Sequence, residues 1–187
     1  MVKKNACVFI SGKGSNLKAL IKSTRDCNFP VNIKLVICNN SDAYGLLYAK
    51  INSVPFVVIN AQNNDFENIA LQQIKKHKIS IILLAGFMRI ISKKFIKNFG
   101  KKIINIHPSL LPKFKGLNTF ERIIQKKEKK TGCTVHFVDE KLDNGKIILK
   151  KSFYINNKDS IETLKKKTQA LEYRAFSEAI VNIFRYN

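Results

Sequence analysis

The chain lacks any apolar run near the ~20 residues that a bilayer-spanning helix requires, so it reads as a soluble protein with no membrane role. Cysteine is sparse and unpatterned. Cys7, Cys27, Cys38 and Cys133 form no Cys-x-x-Cys pair, and the histidines show neither His-Glu-x-x-His nor zinc-finger spacing. Neither a disulfide framework nor a metal site is expected. Cys7, Cys38 and Cys133 fall in or beside expected strands, where a free thiol behaves as a small buried apolar group. There are no repeats, no Pro/Gly/Ser linker and no low-complexity tract beyond a lysine bias. A single domain over residues 1–187 is therefore expected, long enough to bury a proper core. No export signal stands out. Two lysines precede Ala6–Ile10, but that run is shorter than the roughly 7–15 residues of a signal-peptide core and leads into a glycine turn. A cytoplasmic protein is expected.

Acidic residues are the other scarcity. Thirteen Asp and Glu face 34 Lys and Arg, a formal charge of +21. Such a balance puts nucleic acid among the partners to be considered. The lysines are spread along the whole chain, however, together with abundant Asn, Ile and Phe, residue types that share A/T-rich codons. The one dense run, Lys126-Lys-Glu-Lys-Lys130, has no interleaved aromatics for base stacking and reads as a solvated helix end or loop. Nucleic acid is not the favoured partner; a positive field still draws in small anions.

Strand and helix patterns alternate along the chain. Strands are expected at Ala6–Ile10, Asn32–Cys38, Pro55–Ile59, Ser80–Ala85, Lys102–His107, Thr131–Val138 and Lys146–Tyr154, and Ser80–Ala85 is apolar enough to be buried on both faces. Helices are expected over Ser15–Lys22, from Asp42 to about Ile51, after a cap at Asp65, from a cap at Ser92 through Phe99, around Thr119–Lys127, and from Asp159 or Ser160 to about Arg185. This alternation predicts an α/β fold with a doubly wound, mainly parallel sheet and a Rossmann-like N-terminal half.

Three stretches carry candidate chemistry. Ser11-Gly-Lys-Gly-Ser-Asn-Leu17 sits between a strand and a helix, where a helix N-terminus offers N–H groups to an anion. It matches neither the dinucleotide fingerprint nor a P-loop, which leaves a compact phosphate site or an ordinary tight turn. At Lys102–Pro112 the period-2 rule sets Asn105 and His107 on one face of a strand that Pro108 ends. That is an amide and an imidazole at a strand's carboxyl end, where α/β sheets bind ligands. A lone histidine there can equally be structural. A catalytic one needs a partner, and Asp143, in the polar Asp139–Gly145 loop, is the best candidate: a carboxylate favours the imidazolium and orients the ring. Amide and imidazolium could then donate to a developing oxyanion. No Ser or Cys has a nucleophile-elbow setting, so no covalent intermediate is expected.

Ile10-Ser-Gly-Lys-Gly-Ser-Asn-Leu17, Leu84-Ala-Gly-Phe-Met-Arg89, Asn105-Ile-His-Pro-Ser-Leu-Leu-Pro112 and Val135-His-Phe-Val138 with Leu142-Asp143 occur in an order and spacing that resembles phosphoribosylglycinamide formyltransferase, a folate-dependent family of purine synthesis. The resemblance spans essentially the whole chain. It implies the formyltransferase fold, 10-formyltetrahydrofolate as co-substrate, 5'-phosphoribosylglycinamide as acceptor, and no metal. By that resemblance His107 is the general acid, Asp143 keeps it protonated and Asn105 steadies a tetrahedral intermediate. Gly14, Ser15 and Asn16 match the ribonucleotide phosphate site. Gln169 and Glu172 fit a Gln-x-x-Glu pattern near the glycinamide, their alternative being a solvated helix face. Met88, Arg89, Ile90 and Ile91, with Asp139, Glu140, Lys141, Leu142 and Asp143, match segments around the folate, which Asn105 also meets.

Some positions depart from the family. Lys115 and Asn118 stand where a proline and a histidine are usual, which is expected to loosen that loop. Asn64 aligns with a folate-contacting arginine, and Tyr173, Phe176 and Ser177 replace His, Tyr and Pro. Alternatives on the same scaffold are a 10-formyltetrahydrofolate hydrolase, a methionyl-tRNA formyltransferase, which the length disfavours, and a basic nucleic-acid-binding module. A monomer or weak homodimer is expected.

Overall fold

The apolar runs become strands and the amphipathic stretches between them become helices in a computed structural model that describes residues 2–185. The terminal positions 1, 186 and 187 of the expected domain lie outside the described residues. In chain order the elements are β1 (Lys4–Ile10), α1 (Ser15–Thr24), β2 (Val31–Cys38), α2 (Gly45–Ile51), β3 (Phe56–Val58), α3 (Phe66–Lys76), β4 (Ile81–Leu84), α4 (Lys93–Phe99), β5 (Lys102–His107), α5 (Thr119–Gln125), β6 (Lys130–Phe137), β7 (Ile147–Tyr154) and α6 (Ile161–Arg185). The strands are hydrogen-bonded in the order β3-β2-β1-β4-β5-β6-β7. The chain divides into two compact units within β5, Met1–Ile104 and Asn105–Asn187.

In the first unit β1 pairs in parallel with β2 and β4, and β2 with β3. Parallel strands flanked by helices are buried on both faces, which is why Ala6–Ile10 and Ile81–Leu84 are continuous apolar runs. Phe9 anchors this core by edge contacts with Phe66, Phe87 and Phe95 at ring separations of 6.5, 5.2 and 6.1 Å. In the second unit β6 and β7 form an antiparallel pair running from Lys130↔Tyr154 to His136↔Ile147. The sheet is therefore mixed. Thr131–His136 is wholly buried, and α6 supplies Leu164, Ala175, Phe176, Ala179 and Ile180 to the core.

Local chemistry sets the helix ends, with two departures from expectation. Ser92 caps α4 by accepting from the Phe95 N–H at 3.0 Å, and Ser160 Oγ accepts from the Thr163 N–H at 3.3 Å ahead of α6. Asp65 sits at the α3 N-terminus but makes no capping bond, and its own N–H is taken by Asn63 Oδ1 at 2.8 Å. The helix expected from Asp42 starts at Gly45. Asn40 Oδ1 accepts from the Asp42 N–H at 3.0 Å, an Asx turn that holds residues 40–43 out of the helix.

Candidate active site

The turn after β1 owes its shape to glycine. Gly14 is the N-cap residue of α1, at φ 68°, and a Cβ there would stand 2.4 Å from the Gly45 Cα at the start of α2. Gly45 in turn donates its N–H to the Gly12 carbonyl at 2.9 Å. No side chain caps α1 and its first turn holds no acid, so its pole stays positive. Gly14 and Asn16 are buried and Ser15 half-buried. Also in the first unit, Met88 and Ile90 are 69% and 72% exposed, a high value for large apolar side chains, whereas Ile91 is buried. Arg89 is engaged locally: Nη1 donates to the Ala61 carbonyl at 2.5 Å, and the guanidinium lies 4.7 Å from the Phe66 ring centre.

In the second unit the structure brings the three expected polar residues together. His107 closes β5, 5% exposed, and its Nδ1 lies 3.2 Å from Asp143 Oδ2. Its Nε2 lies 2.8 Å from the Phe114 carbonyl. Asn105, two residues back on the same strand, donates through Nδ2 to the other carboxylate oxygen, Oδ1, at 3.4 Å. The Gly116 N–H donates to Asp143 Oδ2 at 2.8 Å. Both ring nitrogens of His107 thus face acceptors, an arrangement that suits the doubly protonated ring.

Electrostatics opposes that proton. Burial, the strongest influence, pulls the His107 pKa down; the Asp143 charge and the Phe114 carbonyl push it up, and the net displacement is below the ordinary histidine value. Asp143 does favour the imidazolium, as expected, but burial outweighs it. For Asp143 burial raises the pKa. The Gly116 N–H and the His107 charge oppose it, and the carboxyl is held below its usual range.

His136, on β6 and fully buried, is a site member that the sequence reading missed. Its Nδ1 lies 2.8 Å from the Phe137 carbonyl and so carries the proton, which leaves Nε2 to accept from Asn105 Nδ2 at 3.2 Å. The separation of 3.6 Å from Nε2 to Asp143 Oδ1 is too long for a hydrogen bond. His136 and Asp143 together fix which way the Asn105 amide faces. The signal was present in Val135-His-Phe-Val138, where period 2 from Thr134 puts a second histidine on a site-facing side of β6. Thr134 Oγ1 bridges the turn after His107, accepting from the Leu111 N–H at 3.0 Å and donating to the Ser109 carbonyl at 2.7 Å.

The loop that carries Lys115 and Asn118 makes several hydrogen bonds. Lys115 Nζ donates to Asn144 Oδ1 at 2.6 Å, Ser109 Oγ to the Lys113 carbonyl at 2.6 Å, and Arg122 Nη1 to the Lys115 and Leu117 carbonyls at 2.6 and 3.3 Å. Around Asp143, the side chains of Asp139, Glu140, Lys141 and Leu142 are exposed. Gln169 and Glu172 lie half-buried on α6, not on a solvated face. Glu172 is close enough to Cys133 to help burial push that thiol up to about 12, which removes it as a nucleophile. Among the described residues no group of three or more His, Cys, Asp and Glu is arranged to hold a metal, and no helix is long and apolar enough to cross a membrane.

An α/β scaffold that brings together a buried imidazole, a buried carboxylate and a half-buried amide holds the groups that proton-transfer chemistry uses. The chain belongs to the formyl transferase family, whose profile matches residues 4–180. It is 40% identical over 177 residues to a phosphoribosylglycinamide formyltransferase of Haemophilus influenzae, covering 92% of this chain and 84% of that one. It is also 40% identical over 182 residues to the human trifunctional purine biosynthetic protein adenosine-3, covering 95% of this chain but 18% of that protein. Among solved structures, the phosphoribosylglycinamide formyltransferase of Campylobacter jejuni superposes with a TM-score of 0.91 at 36% identity, covering 98% of each chain.

Proposed function

We propose that the protein transfers the formyl group of 10-formyltetrahydrofolate to the amine of 5'-phosphoribosylglycinamide, releasing tetrahydrofolate, in de novo purine synthesis. The observation that carries this reading is the His107 ring held between Asp143 and the Phe114 carbonyl, with Asn105 on the same carboxylate. Family membership and the relatives' names supply the substrates. The reaction adds the amine nitrogen to the formyl carbon and then breaks the bond from that carbon to the folate nitrogen. One proton leaves the amine and one arrives at the folate nitrogen. His107 serves both transfers: during turnover its Nε2 exchanges the Phe114 carbonyl for the reacting nitrogen, while Nδ1 stays against Asp143. Asp143 orients the ring and balances its charge. The Asn105 amide steadies the oxyanion of the tetrahedral intermediate by turning to it the N–H that makes the long 3.4 Å bond to Asp143, while the other stays on His136. Direct transfer, without a covalent enzyme adduct, is part of this reading.

Gly14, Ser15 and Asn16 hold the ribonucleotide phosphate at the positive pole of α1. Gln169 and Glu172 bind the glycinamide portion. The folate is held by the 88–91 segment, through the exposed Met88 and Ile90 side chains and its backbone, and by the Asp139–Asp143 loop with Leu142. The setting is the cytoplasm, and the protein works as a monomer or weak homodimer on small molecules. The test is to mix purified protein with both substrates and follow tetrahydrofolate release. Turnover that requires the ribonucleotide is expected. No turnover by folded protein refutes the reading, and release without the ribonucleotide would make the protein a hydrolase.

A further inference from the structure

The segment between His107 and α5 performs two tasks with its backbone alone: the Phe114 carbonyl accepts from His107, and the Gly116 N–H donates to Asp143. It does so in a costly conformation. Phe114 and Asn118 stand at φ 58° and 53°, left-handed values that favour glycine, and Gly116 lies between them at φ 76°. A left-handed backbone is strained for a residue with a side chain, and phenylalanine has no short polar side chain to offset it. Residues 113–118 lie outside any helix or strand, so no regular ladder holds this strain. Something else must.

We propose that Arg122 is a positioning residue for the proposed proton transfer, clamping residues 114–117 in the conformation that grips His107 and Asp143. From α5 its guanidinium donates to the Lys115 carbonyl at 2.6 Å and the Leu117 carbonyl at 3.3 Å, and it lies 5.5 Å from the Phe114 ring centre. These contacts fall on both sides of Gly116 and on the residue whose carbonyl meets His107. One nitrogen, Nη1, donates to both carbonyls, and the planar guanidinium keeps a face toward the Phe114 ring at the same time. Thr119, which donates to the Gly116 carbonyl at 3.2 Å, and Lys115, bonded to Asn144, secure the loop's far side. Arg122 touches neither His107 nor Asp143 by any of these bonds; its charge also lowers the His107 pKa, as the smallest of the influences on it, and Arg122→Lys keeps that charge while loosening the loop contacts. The side chain was passed over in sequence because it looks like an ordinary basic residue near the end of a short helix.

The proposal rests on His107 as the proton-transfer group, and the experiment separates the two claims. Arg122→Gln and Arg122→Lys are compared with wild type in kcat, in KM for both substrates, and in the NMR signal of the His107 ring N–H bonded to Phe114. In Arg122→Gln kcat is expected to fall about tenfold, less than the roughly 10²-fold that a full 1 Å misplacement costs. KM stays within about twofold, and the ring proton is lost to water exchange. Arg122→Lys, which keeps one carbonyl contact, is expected to lose about threefold in kcat and to weaken the ring signal, and it decides the matter if the glutamine variant does not fold. Wild-type kcat with a protected ring proton overturns the proposal. So does a rise in KM at unchanged kcat, or a fall in kcat with the ring proton untouched. If wild type transfers no formyl group, the proposed function fails while the ring-proton comparison still decides the clamp.

Discussion

Asp143→Asn removes one charge and almost no volume, and the structure specifies what it breaks. Oδ2 accepts from the Gly116 N–H at 2.8 Å and faces His107 Nδ1 at 3.2 Å, while Oδ1 accepts from Asn105 at 3.4 Å. An amide has only one acceptor oxygen. Whichever way it turns, its NH2 meets a donor, either the Asn105 amide or the Gly116 N–H. One unmatched buried donor costs about 1–3 kcal/mol, and in a chain of this length each kcal/mol moves the melting midpoint by roughly 2–4 °C. The expected loss is therefore about 2–12 °C at pH 7. The depressed Asp143 pKa adds a pH signature. A carboxyl with a lowered folded pKa contributes stability that is full above its unfolded value, near 4, and is lost as the pH falls through its folded value. The gap between wild type and Asp143→Asn should thus be widest at neutral pH and close in acid. Activity should fall by roughly 10²-fold or more, the scale of general acid–base assistance. Thermal melts from pH 7 to pH 3, with tetrahydrofolate release at pH 7, read both effects. A variant that turns over at nearly the wild-type rate, or a stability gap that ignores pH, would refute the reasoning.

The other predictions address neighbouring groups. His107→Asn should flatten stability between pH 7 and pH 5: with a folded pKa below the unfolded value of about 6.5, wild-type His107 resists protonation and costs stability as the pH drops past that value, which paired pH melts will show. Gly14→Ala forces a Cβ to 2.4 Å from the Gly45 backbone at φ 68°, so it should destabilise by more than about 1–2 kcal/mol in denaturant melts and raise KM for the ribonucleotide above that for the folate. His136→Gln keeps an acceptor for Asn105 where His136→Asn is too short to offer one; kcat should survive better in the glutamine variant, and equal loss in both would remove His136 from the orienting role.

Much of the fold was readable because parallel strands buried on both faces leave unmistakable apolar runs, as at Ala6–Ile10 and Ser80–Ala85. The start of α2 was not, because the Asn40 side chain competes for the Asp42 N–H, and a competition between turn and helix is decided by geometry that a pattern does not hold. Asn105 and His107 could be paired from period 2 alone, since both lie on one strand. Their distance to Asp143 could not. It depends on a carboxylate 36 positions further on in the chain, whose left-handed φ of 47° turns it inward ahead of β7. Nor could the sequence show that the loop around Lys115 is hydrogen-bonded from outside, by Arg122 and Asn144.

The central claim is direct formyl transfer within a site built on Asn105, His107 and Asp143. A single turnover with formyl-labelled 10-formyltetrahydrofolate, quenched in acid at successive times, tests it most directly. The account predicts label passing straight to the ribonucleotide, with none on precipitated protein at any time and a roughly 10²-fold slower transfer in His107→Ala. Label trapped on the protein, or transfer by His107→Ala at the wild-type rate, would contradict it.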